Sequence, residues 1–268
     1  MTFVQHDGAG IWFDDQGDGD PVTTIGGFAM AHTQFHFVFP KLLERHRVIS
    51  WDFRGIGASD RPPGQEYSVD TKVEDLRAVL DAAGVERTHL WAAATGSYTA
   101  IRFAARYPER VGAVIHYGQC RPTPGGIEMY EEMARTLDGD DWVPACHRLL
   151  RVFSAPEEYH EWIVSLYLQL GSPEVLKRSY YAEIHTDVTA DLARTTAPMM
   201  ILIGAKGSKS LGTSYGSGYK TALELRPDSE LVVLEDGSGT YNVIDCADET
   251  VAAALEFFAR HPLERSDA

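Results

Sequence analysis

Short apolar runs alternate with segments of helical period along most of this 268-residue chain, and that alternation leaves few folds open. Gly10–Asp14, Pro21–Ile25, Arg47–Asp52, Thr88–Ala93, Arg110–Tyr117, Pro198–Ile203 and Glu230–Leu234 read as strands. Phe35–Arg45, Val69–Ala83, Ser97–Tyr107 and Asp248–Arg260 read as helices. In Val69–Ala83 the apolar positions Val73, Leu76, Val79 and Leu80 recur at three-to-four spacing, and Gly84 supplies the stop. Strand and helix in turn predict a mostly parallel sheet with helices on both faces, since every parallel connection must cross over the sheet. Between residues 121 and 187 the alternation ceases, and the stretch is helical and rich in aromatics such as Trp142, Trp162 and Tyr180. The expected organisation is an α/β core from 1–120 and 188–268 with a helical cap at 121–187. Most cap aromatics should pack its own small core, and one or two should face a cavity.

Charge narrows the function. Lys and Arg number 24 against 39 Asp and Glu, a net charge of −15. Such a chain repels nucleic-acid backbones and anionic membranes, and the excess acid serves solubility. The longest apolar runs fall far short of the roughly 20 residues a membrane span needs. Met1–Asp7 has neither a basic start nor an apolar core, so no signal peptide is expected, and a cytoplasmic setting follows. Cys120, Cys146 and Cys246 are odd in number, widely spaced and without a CxxC, which argues against a disulfide framework or a cysteine-type zinc site. Neither Gly26-Gly27 nor Gly216–Gly218 forms the glycine pattern of a dinucleotide turn, so no nucleotide or other cofactor is expected. The expected partner is a small molecule; a homo-oligomer is compatible with everything above.

Three stretches carry a resemblance. Gly26-Gly27-Phe28 resembles an oxyanion turn; Asp52-Phe-Arg-Gly-Ile-Gly-Ala-Ser59 resembles an Asp-x-Arg-Gly-x-Gly-x-Ser loop; Ala100–Val111 resembles the helix and turn after a nucleophile. Together they are similar to the α/β-hydrolase superfamily, in its capped epoxide-hydrolase and esterase-like branch. The resemblance implies a Gly-x-Ser-x-Gly turn that presents a nucleophile between strand and helix. Counting back from Arg102, this chain has Ala92-Ala93-Ala94-Thr95-Gly96, with Ala94 at the nucleophile position. The acid position falls on Gly207, or on Ser208 if the turn is one residue longer, and the alternative stretch Tyr117–Cys120 has no carboxylate. The base position falls on Thr240. A methyl, a hydrogen and a hydroxyl therefore stand where the resemblance expects a nucleophile, an acid and a base, and acyl-enzyme hydrolysis is disfavoured.

Backbone donors survive such losses. The resemblance makes the amides of Phe28 and Thr95, next to Gly27, the oxyanion donors. Such a site suits isomerisation, cyclisation, lyase chemistry or cofactor-free oxygenation, with His32 or His36 as base. Those two histidines lie four apart, yet no third metal ligand is apparent. Further pocket candidates are Ser97, Cys120, Trp142, Trp162, His185 and Tyr241. His116, on a strand, is expected to pack. The competing readings are a non-catalytic small-molecule binder and a hydrolase with a relocated nucleophile.

Overall fold

The computed structural model describes residues 2–27, 30–64, 67–122, 124–138, 141–152, 155–183, 185–206 and 218–263. The strands are β1 (Thr2–His6), β2 (Ala9–Gln16), β3 (Pro21–Ile25), β4 (Arg47–Trp51), β5 (Thr88–Ala92), β6 (Val111–His116), β7 (Met199–Gly204) and β8 (Glu230–Leu234). They form one sheet in the order β1-β2-β4-β3-β5-β6-β7-β8. Only the β1/β2 and β2/β4 pairs are antiparallel; all pairs from β4 to β8 are parallel. Every residue of β5, β6 and β7 is buried, as parallel strands covered on both faces require.

The helices are α1 (Phe39–Leu43), α2 (Val69–Ala82), α3 (Gly96–Arg106), α4 (Pro124–Thr136), α5 (Trp142–Val152), α6 (His160–Leu170), α7 (Pro173–Glu183), α8 (Thr189–Arg194), α9 (Gly218–Leu225), α10 (Asn242–Asp245) and α11 (Ala247–Arg260). Helices α4 to α7 occupy the aromatic stretch between β6 and β7. None of the described helices is long and apolar enough to cross a membrane.

Two expectations are corrected. The helix expected over Phe35–Arg45 is broken into a 3-10 turn at Ala31–Phe35 and the separate α1. Pro40 sits in the first turn of α1, where its missing N–H is harmless, but it could not continue a helix begun at Phe35. Strand β1 was not anticipated. It pairs with β2 across the two-residue turn Asp7-Gly8, both at positive φ (+46° and +75°), and Asp-Gly is the sequence signal of such hairpins.

Helix α2 shows how sequence becomes position. Ser68 caps it by accepting from Thr71 N–H at 3.2 Å, and Gly84, at φ +63°, ends it. Its buried face holds the expected Val73, Leu76, Val79 and Leu80, and also two charged residues, Lys72 and Asp75. Both are paired. Asp75 takes Arg54 through two bonds of 2.8 and 2.6 Å and His6 Nδ1 at 2.7 Å. Lys72 Nζ donates to Glu183 Oε1 at 2.8 Å and Ser179 Oγ at 3.0 Å, and lies 4.2 Å from the Phe53 ring centroid. Glu183 and Ser179 belong to α7, so a buried ion pair joins the helical segment to the core. Removing one partner leaves a buried charge alone. Lys72→Met or Glu183→Gln should each lower stability by about 3–5 kcal/mol, while the double variant Lys72→Met/Glu183→Leu regains most of it, as read from urea midpoints.

His89 on β5 is fully buried, stacks on Phe258 at 4.7 Å, and has no hydrogen-bond partner for either ring nitrogen among the described residues. Burial, with His46 nearby, pushes its pKa from 6.5 down to about 4. The folded protein thus prefers neutral His89. Its contribution is complete above the unfolded value near 6.5 and is lost as pH falls toward about 4. Between pH 7 and pH 5 it should remove about 2 kcal/mol of stability. His89→Leu should flatten the urea-midpoint dependence on pH by that amount, whatever its effect at pH 7.

Candidate functional site

The loop after β4 is built around one carboxylate. Asp52, fully buried, accepts from His32 N–H at 2.9 Å and His32 Nδ1 at 2.7 Å through Oδ1, and from Ala58 N–H at 2.9 Å through Oδ2. Ser59 Oγ accepts from Trp12 N–H at 2.8 Å and donates to the Asp52 carbonyl. Gly57 is at φ +62°, and a Cβ there would run into Asp52 Oδ2. The Asp-x-Arg-Gly-x-Gly-x-Ser spacing is therefore a hydrogen-bonded cradle: Asp52 holds both its own loop and the chain that follows the Gly26-Gly27 turn.

That arrangement orients His32. With Nδ1 held on the carboxylate, the neutral ring carries its proton on Nδ1 and its lone pair on Nε2. The ring is partly exposed, 30% at its side chain, and packs on Trp12 with centroids 4.4 Å apart. No hydroxyl or thiol bonds Nε2 among the described residues. His36, by contrast, is exposed and lies against Phe37 and Trp162, at 5.1 and 5.9 Å, rather than beside His32. No group of three or more His, Cys, Asp or Glu among the described residues is placed to hold a metal ion.

The turn between β5 and α3 is strained. Ala93 N–H bonds Ile25 O at 2.9 Å and holds the end of β5 beside β3. Ala94 then takes φ +47°, which costs a residue with a Cβ about 1 kcal/mol or more. Helix α3 starts two residues later. Thr95 N–H finds no acceptor among the described residues, while Gly96 N–H bonds Ala93 O at 2.9 Å and Ser97 N–H bonds Ala94 O at 3.1 Å. A free N–H at the head of an 11-residue helix is favourably placed for negative charge. Gly27 presses close: a Cβ on it would stand 2.7 Å from that of Ala94. Its own N–H is taken by Gln34 Oε1 at 2.7 Å.

The remaining sequence candidates are dispersed. Ser97 Oγ is buried and accepts from Tyr117 N–H at 3.1 Å, tying α3 to the end of β6. Cys120 is fully buried, and burial pushes its thiol up to about 11, which makes it inert. Trp142 is half-buried at the start of α5, and Trp162 packs against Phe37 at 5.3 Å. His185 is exposed and stands edge-on to Tyr181 at 4.7 Å. Tyr241 is buried in the 3-10 turn Gly239–Tyr241 that also holds Thr240; its hydroxyl is 3.5 Å from that of Tyr167, and burial raises its pKa well above the usual. His116 does pack: its Nδ1 accepts from Gly118 N–H at 3.0 Å, and burial holds it near 4, neutral. Phe28, Gly207 and Ser208 lie outside the described residues.

Sequence reasoning missed a set of buried polar atoms beyond the ends of β6 and β8. Tyr117 Oη, Gln119 Oε1, Asp245 Oδ1 and both side-chain polar atoms of Asn242 have no partner among the described residues. Burial raises the Asp245 carboxyl above the usual carboxylate range, although Ser238 bonds it. Burial, with Asp245 next, raises the Tyr117 hydroxyl well above its ordinary value. They cluster at the carboxyl ends of the strands, where open α/β sheets bind ligands.

Residues 20–140 match the family model described as alpha/beta hydrolase fold. Over 215 residues the chain is 28% identical to the AB hydrolase superfamily protein YisY of Bacillus subtilis, covering 73% of this chain and 77% of that one. It is 32% identical to 2-hydroxymuconate semialdehyde hydrolase of Pseudomonas sp. over 46% of this chain and 48% of the relative. It is 27% identical to cis-3-alkyl-4-alkyloxetan-2-one decarboxylase of Shewanella oneidensis over 46% and 42%. The chain thus spans less than half the length of those two enzymes. An esterase from Exiguobacterium antarcticum superposes with a TM-score of 0.85 over 96% of this chain and 99% of the other, at 22% identity. With the sheet order and the strained turn after β5 alongside these likenesses, the chain has the α/β-hydrolase fold.

Proposed function

We propose that this chain is a non-hydrolytic enzyme that transfers protons on a small, largely apolar organic molecule held over the turn after β5 and beneath the helical segment. The reaction class is isomerase, cyclase, lyase or cofactor-free oxygenase. One observation carries the reading: Ala94 keeps the left-handed backbone of a nucleophile turn although its side chain is a methyl. With no nucleophile to present, what the strain still achieves is to aim Thr95 N–H at the ligand. Negative charge that develops on a substrate oxygen would be stabilised there, and removing such a donor costs about 3 kcal/mol of transition-state stabilisation in comparable sites.

The base in this reading is His32, fixed by Asp52 through Nδ1, with Nε2 unbonded among the described residues. β3 lies between β4 and β5. Both groups lie at the carboxyl ends of neighbouring strands, and on a conjugated substrate charge released by proton removal at one position reaches an oxygen at another. A relative named as a decarboxylase supports a lyase on this scaffold.

A panel of conjugated oxo-compounds, lactones and esters, followed by mass spectrometry in deuterated water, tests this. The expected result is a product that carries solvent deuterium, no covalent enzyme adduct, and a loss of about 10²–10⁴ in kcat/KM for His32→Gln with the fold retained. Ester cleavage indifferent to His32→Gln would overturn it.

The hydrolase name of the Pseudomonas relative favours a second reading, hydrolysis with a relocated nucleophile. Water activated by His32 would place oxygen-18 from solvent in the product acid. A cysteine nucleophile is disfavoured: Cys120, Cys146 and Cys246 are all buried, and burial raises their thiols to about 11, 12 and 11. All three should resist iodoacetamide in the native protein at pH 8 and react once it is unfolded in urea. Rapid native labelling that abolishes turnover would restore the thiol.

A further inference from the structure

We infer that the seam between the helical segment and the core contains a second ligand site, separate from the turn after β5, and that it takes a small aromatic carboxylate. A cavity of about 720 Å³ opens there between α4, α7 and the Tyr67-Ser68 corner that leads into α2. Its size falls in the range of small-molecule sites. None of Gly27, Ala94, Thr95 or Tyr241 lines it.

The walls are aromatic and aliphatic. Tyr67 and Tyr180 are buried at the base, and Ile127 and Tyr181 stand at the mouth. Tyr181 is 68% exposed and Ile127 36%, so large apolar surface faces water at the opening of a concavity. A flat apolar ligand would remove that surface from water.

Arg178 supplies the polar end. Its guanidinium lies over the Tyr67 ring, 5.2 Å from the centroid, and its nearest carboxylate among the described residues is Glu174 at 3.7 Å, itself mostly exposed. Charge-assisted bonds run at about 2.7–2.9 Å, so the guanidinium keeps donors to spare and a planar fork suited to a carboxylate. Its neighbour Lys177 is already committed to Asp138. Glu131, on the opposite wall, disfavours a second negative charge on the ligand. A guanidinium with donors to spare in an aromatic cleft selects an aromatic monocarboxylate. Helix α7 forms this wall and also clamps Lys72 through Ser179 and Glu183, so an occupant would press on the element that joins the helical segment to the core.

Calorimetric titration with naphthalene carboxylate, and with its uncharged carboxamide, tests the site without any need for turnover. The carboxylate should bind more tightly than the amide. Arg178→Gln should weaken the carboxylate by about tenfold or more and leave the amide nearly unchanged. Tyr181→Ala, at an exposed position where folding is safe, should weaken both. Ala182→Trp should fill the cleft and abolish both, with an unchanged melting temperature to show that the fold survives. Absence of binding to the wild type, or binding indifferent to both Arg178→Gln and Tyr181→Ala, would overturn the inference; neither result bears on the chemistry proposed at Thr95 and His32.

Discussion

The Asp52 carboxylate is the constraint on which the rest of the site depends. It is fully buried at the end of β4, and three N–H donors from two separate segments converge on it. A buried carboxylate without such donors would be prohibitively unstable, so the loops and the charge require one another. The chain after Gly27 is anchored through His32, the β4–α2 loop through Ala58, and Arg54 two residues on is locked to Asp75 of α2. The same loop carries the helical segment: Gly57 N–H bonds Leu170 O at 2.8 Å, and Arg61 reaches that carbonyl at 3.0 Å. One ion thus sets the position of the turn beside Ala94, the orientation of an imidazole, and the docking of α6.

Strain is concentrated beside that anchor. Besides Asp7 in its hairpin, Ala31 and Ala94 are the non-glycine residues at positive φ among those described, at +51° and +47°. They flank the same close approach, one after the Gly26-Gly27 turn and one after β5. Left-handed backbone at two alanines costs about 1–2 kcal/mol each and persists only where the surroundings overdetermine it. Here they do so through the Ala93–Ile25 hydrogen bond and through Asp52 on His32. The turn geometry is therefore a property of the scaffold and does not depend on which side chain Ala94 bears.

Much of this was legible in the sequence because it rests on local patterns. The buried runs of β5 to β7 and the face of α2 follow from periodicity, and the Asp52–Ser59 loop from a motif whose glycine spacing has a steric cause at Gly57. What escaped depends on contacts distant in sequence. His32 and Asp52 could each be named, but nothing in a linear pattern says that residues 20 apart share a proton. Lys72 and Glu183 sit 111 residues apart, and Lys72 falls on the apolar face of α2, where a charge reads as a flaw in the pattern until its partner on α7 is seen. The helix break before Pro40 is local as well, since the proline ring cannot continue a helix begun at Phe35.

The two sites that we propose differ in how the chain holds them. At Ala94 and Thr95 the geometry is set by backbone hydrogen bonds and the burial of the β5–α3 turn, so the donor is preorganised and should change little when a ligand arrives. At the seam, selectivity rests on side chains of α7, a helix fixed to the core by the Lys72–Glu183 pair and by buried Val175, Leu176 and Tyr180, and to α4 by packing. The seam wall thus belongs to the same helix that grips Lys72 of the core through Ser179 and Glu183, so the cleft and the junction between helical segment and core share one element.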